Sequence, residues 1–365
     1  MTAADGDAGA MPARRGPRRL PAKQGLIALG ASMLVLALLS IGWGAVSVPL
    51  GEILSILAST LGLGGDSDVS IQHQAIVTAI RLPRVIACLA IGAALAVAGA
   101  AMQGLFRNPL ADPGLVGVSN GAALAAVVAI VLGPALIGDL PAELRPYITA
   151  LAAFGGGIVA TWLVYRIGTR GGQTDVATML LAGIALNAIG GAAMGGLVFI
   201  SDDQQLRDLT FWMMGSLAGI TWTPLLICLP LILLAIGAIL FYAKALNALL
   251  LGEAEAFHLG IPVERAKTVL IAAVALAVGA AVAISGIIGF VGLVVPHILR
   301  LVIGPDHRWL IPGSALLGAV LLLLADNLAR TVVVPAEVPI GVVTSLVGGP
   351  FFLWLLLRRR IGFGG

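Results

Sequence analysis

Charge is scarce in this sequence: Asp, Glu, Lys and Arg make up only 11% of its 365 residues. Ordinary soluble domains carry about 25%, so a water-exposed globule of this size is excluded. Lysine is rarer still, with Lys23, Lys244 and Lys267 in the whole chain. A phosphate-cradling loop needs Gly-x-x-x-x-Gly-Lys-Ser/Thr, in which backbone donors and a lysine hold the nucleotide. Lys267-Thr268 is preceded by Ala266, which excludes nucleotide binding by that route. Cys88 and Cys228 fall inside apolar runs without Cys-x-x-Cys spacing, so no disulfide framework is expected and both read as small buried hydrophobes. His73, His258, His297 and His307 show no His-Glu-x-x-His or similar ligand spacing, and no metal site is expected. His297, beside Pro296 in VVPHILRL, reads as a core histidine at a helix break, with a haem or proton ligand as the sharper alternative.

What the chain has instead is apolar length. Hydrophobic residues make up 59% of it, and the mean hydropathy is +1.05. A hydrocarbon core about 30 Å thick takes about 20 apolar residues per helical span. Ten runs qualify, at 26–48, 85–106, 115–137, 147–166, 178–200, 224–243, 266–284, 286–303, 310–329 and 338–357. The expected fold is therefore an all-α integral membrane protein with ten transmembrane helices and both termini on one side. Arg14, Arg15, Arg18, Arg19 and Lys23 precede the first run like the charged region of a signal peptide. The apolar stretch is too long for one and no clear cleavage site follows, so it reads as a retained span.

Orientation follows from the positive-inside rule. With the termini inside, 16 Lys and Arg fall on the cytoplasmic side and five, Arg81, Arg84, Arg145, Arg207 and Arg330, on the other. The net charge of +3 thus reports membrane orientation, with no nucleic-acid partner implied. Residues 1–25 read as a basic, disordered cytoplasmic tail, 26–358 as a single ten-helix domain, and 359–365 as a cytoplasmic C-terminal tail. Small-xxx-small spacing in AIGAALAVAGAAM (90–102) and NAIGGAAMGGLV (187–198) lets helix backbones approach closely. Spans two to five and seven to ten form two sets that start on opposite sides, as inverted repeats do.

Three polar segments, 105–117, 199–212 and 247–267, read as structured loops, the last as one or two short amphipathic helices broken at Gly252 and Gly260. Ionisable groups inside spans are few, which argues against an ion-coupled carrier. Asp326, in LLLLADNLAR, reads as an i,i+4 partner of Arg330. The sharpest oddity is RLPR at 81–84. Pro83 suits a first helical turn and pushes Leu82 toward extended geometry, so the second span is expected to start there. Arg81, ahead of the helix, should then be the more mobile of the pair. Both arginines would sit at the positive end of a helix dipole, either snorkelling to headgroups or docking an external anionic partner.

These motifs together resemble the permease subunit of binding-protein-dependent ABC importers for iron complexes, haem and vitamin B12. They are RLPR, FRNPLADPGLVGVSNGAAL (106–124), FWMMGSL (211–217), LGEAEAFHLGIP (251–262), GFVGLVVPHILRL (289–301), ADNLAR (325–330) and PIGVVTSLVGGPFFLWLL (339–356). The resemblance implies a homodimer in the bacterial inner membrane, two cytoplasmic ATP-binding subunits and one periplasmic binding protein. It assigns docking of that protein to Arg81, Arg84 and Arg330, an inner gate to Asn108 and Leu110, and ATPase coupling to Gly252, Glu253 and Gly260, within the cytoplasmic segment 247–262. ATP hydrolysis would lie on the partner subunits, so the chain itself is not an enzyme. SDDQQLRDLTFW (201–212) is most similar to haem importers, which makes haem the expected cargo, with no permanently bound cofactor. Vitamin B12 or a ferric siderophore carried by the same machinery, an ion-coupled secondary transporter and a membrane scaffold are the alternatives.

Overall fold

The computed structural model describes residues 21–361 apart from 45, 61, 65–68, 139–140, 142–143 and 334–335. Most of the basic N-terminal tail and the last residues of the C-terminal tail lie outside the described residues. Without water in a bilayer core, each backbone donor and acceptor must pair within the protein, and the chain meets that demand with helices. They are α1 (Ala22–Gly42), α2 (Leu50–Thr60), α3 (Ile71–Ala75), a π-helical turn (Ile76–Arg81), α4 (Leu82–Leu105), α5 (Val118–Val131), α6 (Gly133–Ile137) and α7 (Arg145–Gly168). A two-residue hairpin, β1 (Thr169–Arg170) and β2 (Gln173–Thr174), leads to α8 (Val176–Ile200), α9 (Asp203–Met214), α10 (Trp222–Phe241), α11 (Ala243–Leu249) and α12 (Glu253–His258). The chain closes with α13 (Val263–Ser285), α14 (Val291–Val302), α15 (His307–Thr331) and α16 (Ile340–Ile361).

Each of the ten apolar runs contains a helix, and seven helices are long and apolar enough to cross a membrane unaided. The remaining three runs hold shorter apolar helices: α5, α14 and residues 340–354 of α16. α5, with 14 residues, rises only about 21 Å at 1.5 Å per residue. Length alone therefore supports seven crossings.

α4 is buried along almost its whole length and forms the axis of the bundle, packed by α13, α14, α15 and α10. Glycine makes this possible. A β-carbon on Gly92 would overlap the carbonyl of Gly318 in α15, and one on Gly99 would overlap the carbonyl of Gly292 in α14. Backbone thus lies directly on backbone, the geometry that small residues permit. α1, α7, α8 and the outer face of α10 expose apolar side chains such as Leu34, Leu151, Ile184 and Leu233.

Two sequence expectations need correction here. The segment 199–212, read as a loop, is mostly helix α9, started by a capping box in which Asp202 accepts from the Gln205 N–H and Gln205 reaches back. The second span does not start at Pro83. Helix runs without interruption from Ile71 to Leu105, and Leu82 is helical (φ −62°, ψ −50°) instead of extended. The π-helical turn explains this: the Leu82 N–H bonds the Val77 carbonyl, five residues back. Widening the turn just before Pro83 absorbs a residue that has no N–H and would clash in a regular helix.

Candidate functional site

RLPR lies inside a helix, so the helix-start dipole is not what its arginines meet. Arg84 is buried and forked between two carboxylates. Its Nε and Nη2 donate to Asp326 Oδ1 at 3.0 and 2.8 Å, and its Nη1 and Nη2 donate to Glu337 Oε1 and Oε2 at 3.0 and 2.8 Å. Asp326 also pairs through Oδ2 with Arg330 Nε at 3.1 Å, which is the expected i,i+4 contact. Arg330 further donates to Asn327 and, at 3.3 Å, to the Trp43 carbonyl, while Asn327 Nδ2 donates to Ser40 Oγ at 2.6 Å. Arg84, Arg330, Asp326 and Glu337 form a cluster of two cations and two anions.

Arg81 completes the assembly in a different way. Its Nη1 donates to the carbonyls of Ile41 (2.6 Å) and Gly42 (3.0 Å), and its Nη2 donates to that of Val46. The first two carbonyls close the C-terminal end of α1, the negative end of that helix's dipole, and the third lies in the segment just after it. The charge is thus placed well, but at the end of another helix. The expected mobility of Arg81 is corrected too: it is buried and held by three acceptors. All three arginines expected at a docking surface therefore gather at one end of the bundle and are engaged by internal partners. Sequence reasoning missed Glu337. The available signal was that it is the last acidic residue of the chain and follows Arg330 closely.

At the same end, α9 borders a cavity of about 900 Å³ lined by Arg145, Tyr147, Asp202, Gln205, Asp208 and Trp212, among others. The segment singled out as similar to haem importers thus faces open space. Among the described residues, no group of three or more His, Cys, Asp and Glu is placed to hold a metal ion. Cys88 and Cys228 are free and buried, and His297 is a buried histidine in α14.

Asn108 and Leu110 share one tight turn at the opposite end. Asn108 Oδ1 accepts from the Leu110 N–H at 2.9 Å, an Asx-type turn. Arg107 before it takes a left-handed backbone (φ 49°). Asp112 caps the short 3₁₀ turn at Pro113–Val116 through the Gly114 N–H at 2.7 Å. Burial pushes the Asp112 carboxyl upward, opposed by that hydrogen bond.

The segment expected to carry coupling folds into α11 and α12, with breaks at the predicted glycines. Gly252 (φ 132°) precedes α12 and Gly260 (φ 81°) follows it, both in backbone regions that favour glycine. Phe257 and Leu259 point outward, whereas Ala256 is buried. Glu253 is half-exposed, and its carboxylate accepts from Lys267 Nζ at 2.7 Å. Lys267 is 1% exposed, and it also donates to Glu264 Oε1 (3.0 Å) and the Thr174 carbonyl (2.8 Å). The sequence offered Lys267 only as a failed phosphate binder. Its real partners were legible as glutamates at 253 and 264, the latter one helical turn away.

Nearby, Asp306 caps α15. Hydrogen bonds from Arg308 first, then from Asn247, hold its carboxyl down to about 2 from an ordinary 3.8. A depressed carboxylate stabilises the fold above its unfolded pKa, and that contribution disappears as pH falls from about 4 toward 2. Asp306→Ala is therefore expected to flatten this stretch of an acid-unfolding curve. An unchanged curve would show that the cap contributes nothing.

Residues 32–358 match the FecCD transport family. The chain is 53% identical over 281 residues to the hemin transport system permease protein of Yersinia pestis, covering 77% of this chain and 83% of that one. It is 45% identical over 289 residues to a cobalamin import system permease of Halobacterium salinarum (79% and 75% covered). It is also 43% identical over 316 residues to a vitamin B12 import system permease of Shigella boydii (85% and 94% covered). A solved structure, described as an inward-facing metal-chelate type ABC transporter, superposes with a TM-score of 0.79 at 32% identity, covering 92% of this chain and 99% of the other.

Proposed function

Because the chain belongs to the FecCD transport family, we propose that it is the membrane-spanning permease subunit of a binding-protein-dependent ABC importer that carries haem across the bacterial inner membrane. The observation that carries the choice of cargo is the 53% identity to a hemin permease, against 45% and 43% to permeases for cobalamin and vitamin B12. Haem is cargo here, passed along and released, and ATP is hydrolysed on two separate cytoplasmic subunits.

In this reading all ten apolar helices cross the bilayer, with the short α5, α14 and α16 sheltered by their neighbours, and both termini are cytoplasmic. Two copies pair around the pathway. The exposed face of α8 supports that pairing, since Gly191, Gly195 and Gly196 have open space where a β-carbon would sit and would admit close approach of a second copy. Cargo enters at the end that carries RLPR and α9 and leaves past the turn of Asn108 and Leu110. α12 lies on the ATPase, presenting Phe257 and Leu259, with Gly252 and Gly260 marking its two ends.

The periplasmic protein docks at Arg81, Arg84 and Arg330. Of the carboxylates already on these arginines, Asp326 is buried, whereas the Glu337 side chain is 38% exposed. Glu337 is therefore the group an incoming carboxylate can displace from Arg84. Glu337→Gln is expected to tighten binding of the periplasmic protein several-fold, because close interfacial charge pairs contribute from about 1.5 kcal/mol upward. Unaltered affinity in a titration of the two purified proteins would remove Arg84 from the docking surface.

The cargo is tested by reconstituting the permease with its ATPase and binding protein in vesicles and comparing uptake of hemin, cobalamin and a ferric siderophore. ATP-dependent uptake of hemin above the other two is expected. Preference for cobalamin or siderophore would overturn the haem assignment, and ion-driven uptake without the ATPase would overturn the importer itself.

A further inference from the structure

α12 is six residues long, too short to hold its own shape in water, and left-handed glycines at both ends free its direction from the flanking chain. Something else must set its angle. Its buried residue is Ala256, a small apolar contact that resists sliding poorly. The ion pair from Glu253 to Lys267 is directional and largely shielded from solvent on the lysine side.

The lysine end of that pair is rigid. An ammonium has three donors, and Lys267 uses them on Glu253, Glu264 and the Thr174 carbonyl. Glu264 in turn accepts from the Thr174 N–H at 2.9 Å, so the strand β2 is gripped at both its donor and its acceptor. Lys267 and Glu264 both belong to α13, whose buried face continues through the core to Ser285. An ammonium withdrawn from water costs several kcal/mol unless it stays paired, so the lysine cannot let go of its partners one at a time without penalty. Glu253 is the member on α12, 42% exposed.

We infer that Lys267 is a positioning residue that makes α12 move as one body with α13 and the α7–α8 hairpin, so that displacement of α12 is delivered to the core. This rests on the reading of α12 as the segment that contacts the ATPase. Glu253 then acts through Lys267 and not by touching the ATPase.

The test uses the whole importer in vesicles, with hemin or whichever of the three cargoes the wild type carries. ATPase retention, ATP hydrolysis and cargo moved per ATP are measured separately. Glu253→Ala is expected to keep the ATPase bound and hydrolysing while cargo per ATP falls about ten-fold. Lys267→Met is expected to do the same, and the double variant to be no worse than Lys267→Met alone, because the two act as a unit. Wild-type cargo per ATP in Glu253→Ala overturns the inference, as does a double variant whose losses add. If Lys267→Met fails to insert, Glu253→Ala still decides, since its carboxylate lies at the surface. Phe257→Asp separates the underlying reading: it is expected to release the ATPase. Retention of the ATPase by Phe257→Asp overturns both, whereas its release alongside a fully coupled Glu253→Ala overturns the inference alone.

Discussion

Alanine in place of Arg84 is expected to lower the stability of the bundle by roughly 3–5 kcal/mol, the usual cost of removing one partner from a buried ion pair. The loss is large because of what stays behind. Asp326, 1% exposed in the middle of a charge cluster, would keep one guanidinium where it had two, and Glu337 would lose its bidentate partner. Thermal unfolding in detergent measures the effect, and a wild-type midpoint would mean that water or another residue replaces the guanidinium at no cost. Reversing Arg81 and Arg84 together, the obvious probe of docking, would damage the fold before it reported on a partner. Glu337→Gln is the cleaner probe, because it leaves Asp326 compensated.

Alanine at Gly99 is expected to be as damaging, although it adds a single methyl group. That carbon would lie against the backbone carbonyl of Gly292, which has no rotamer by which to withdraw. Overpacking costs about 1–3 kcal/mol where side chains can shift, and a backbone-to-backbone overlap lies at or above the top of that range. α4 and α14 would have to separate, which should appear as lost monodispersity and faster proteolysis after extraction. Gly155→Ala in α7 is the control. Open space surrounds it, and helix propensity favours alanine by up to about 1 kcal/mol, so its stability should match or exceed wild type. Equal behaviour of the two variants would show that α4 and α14 are not in backbone contact.

The sequence exposed the positions of the ten apolar helices and the glycine breaks around α12, because both are written in local composition. It also paired Asp326 with Arg330, one helical turn apart. It misjudged RLPR for a definite reason. Proline next to arginine reads as a helix start when only local rules are available. The compensating π-helical turn lies upstream in IVTAIR, where no residue type announces it. The partners of Arg84 and Arg81 are remote in sequence, 242 and 253 residues away for the two carboxylates and 40 for the Ile41 carbonyl. Lys267 was misread similarly, since its partners include a carbonyl 93 residues distant. Local rules found the pair one helical turn apart but could not say which remote groups meet.

The same separation has a consequence for how the protein is made. Arg84 enters the bilayer while Asp326 and Glu337 have yet to be synthesised. Until they arrive, its guanidinium has to stretch toward the headgroups, as long cationic side chains do. α1 waits too, because Ser40 is fastened to Asn327, 287 residues further along. α1 is thus among the last of these helices to be locked. A nascent chain that stops short of α15 therefore carries an Arg84 whose carboxylate partners are absent.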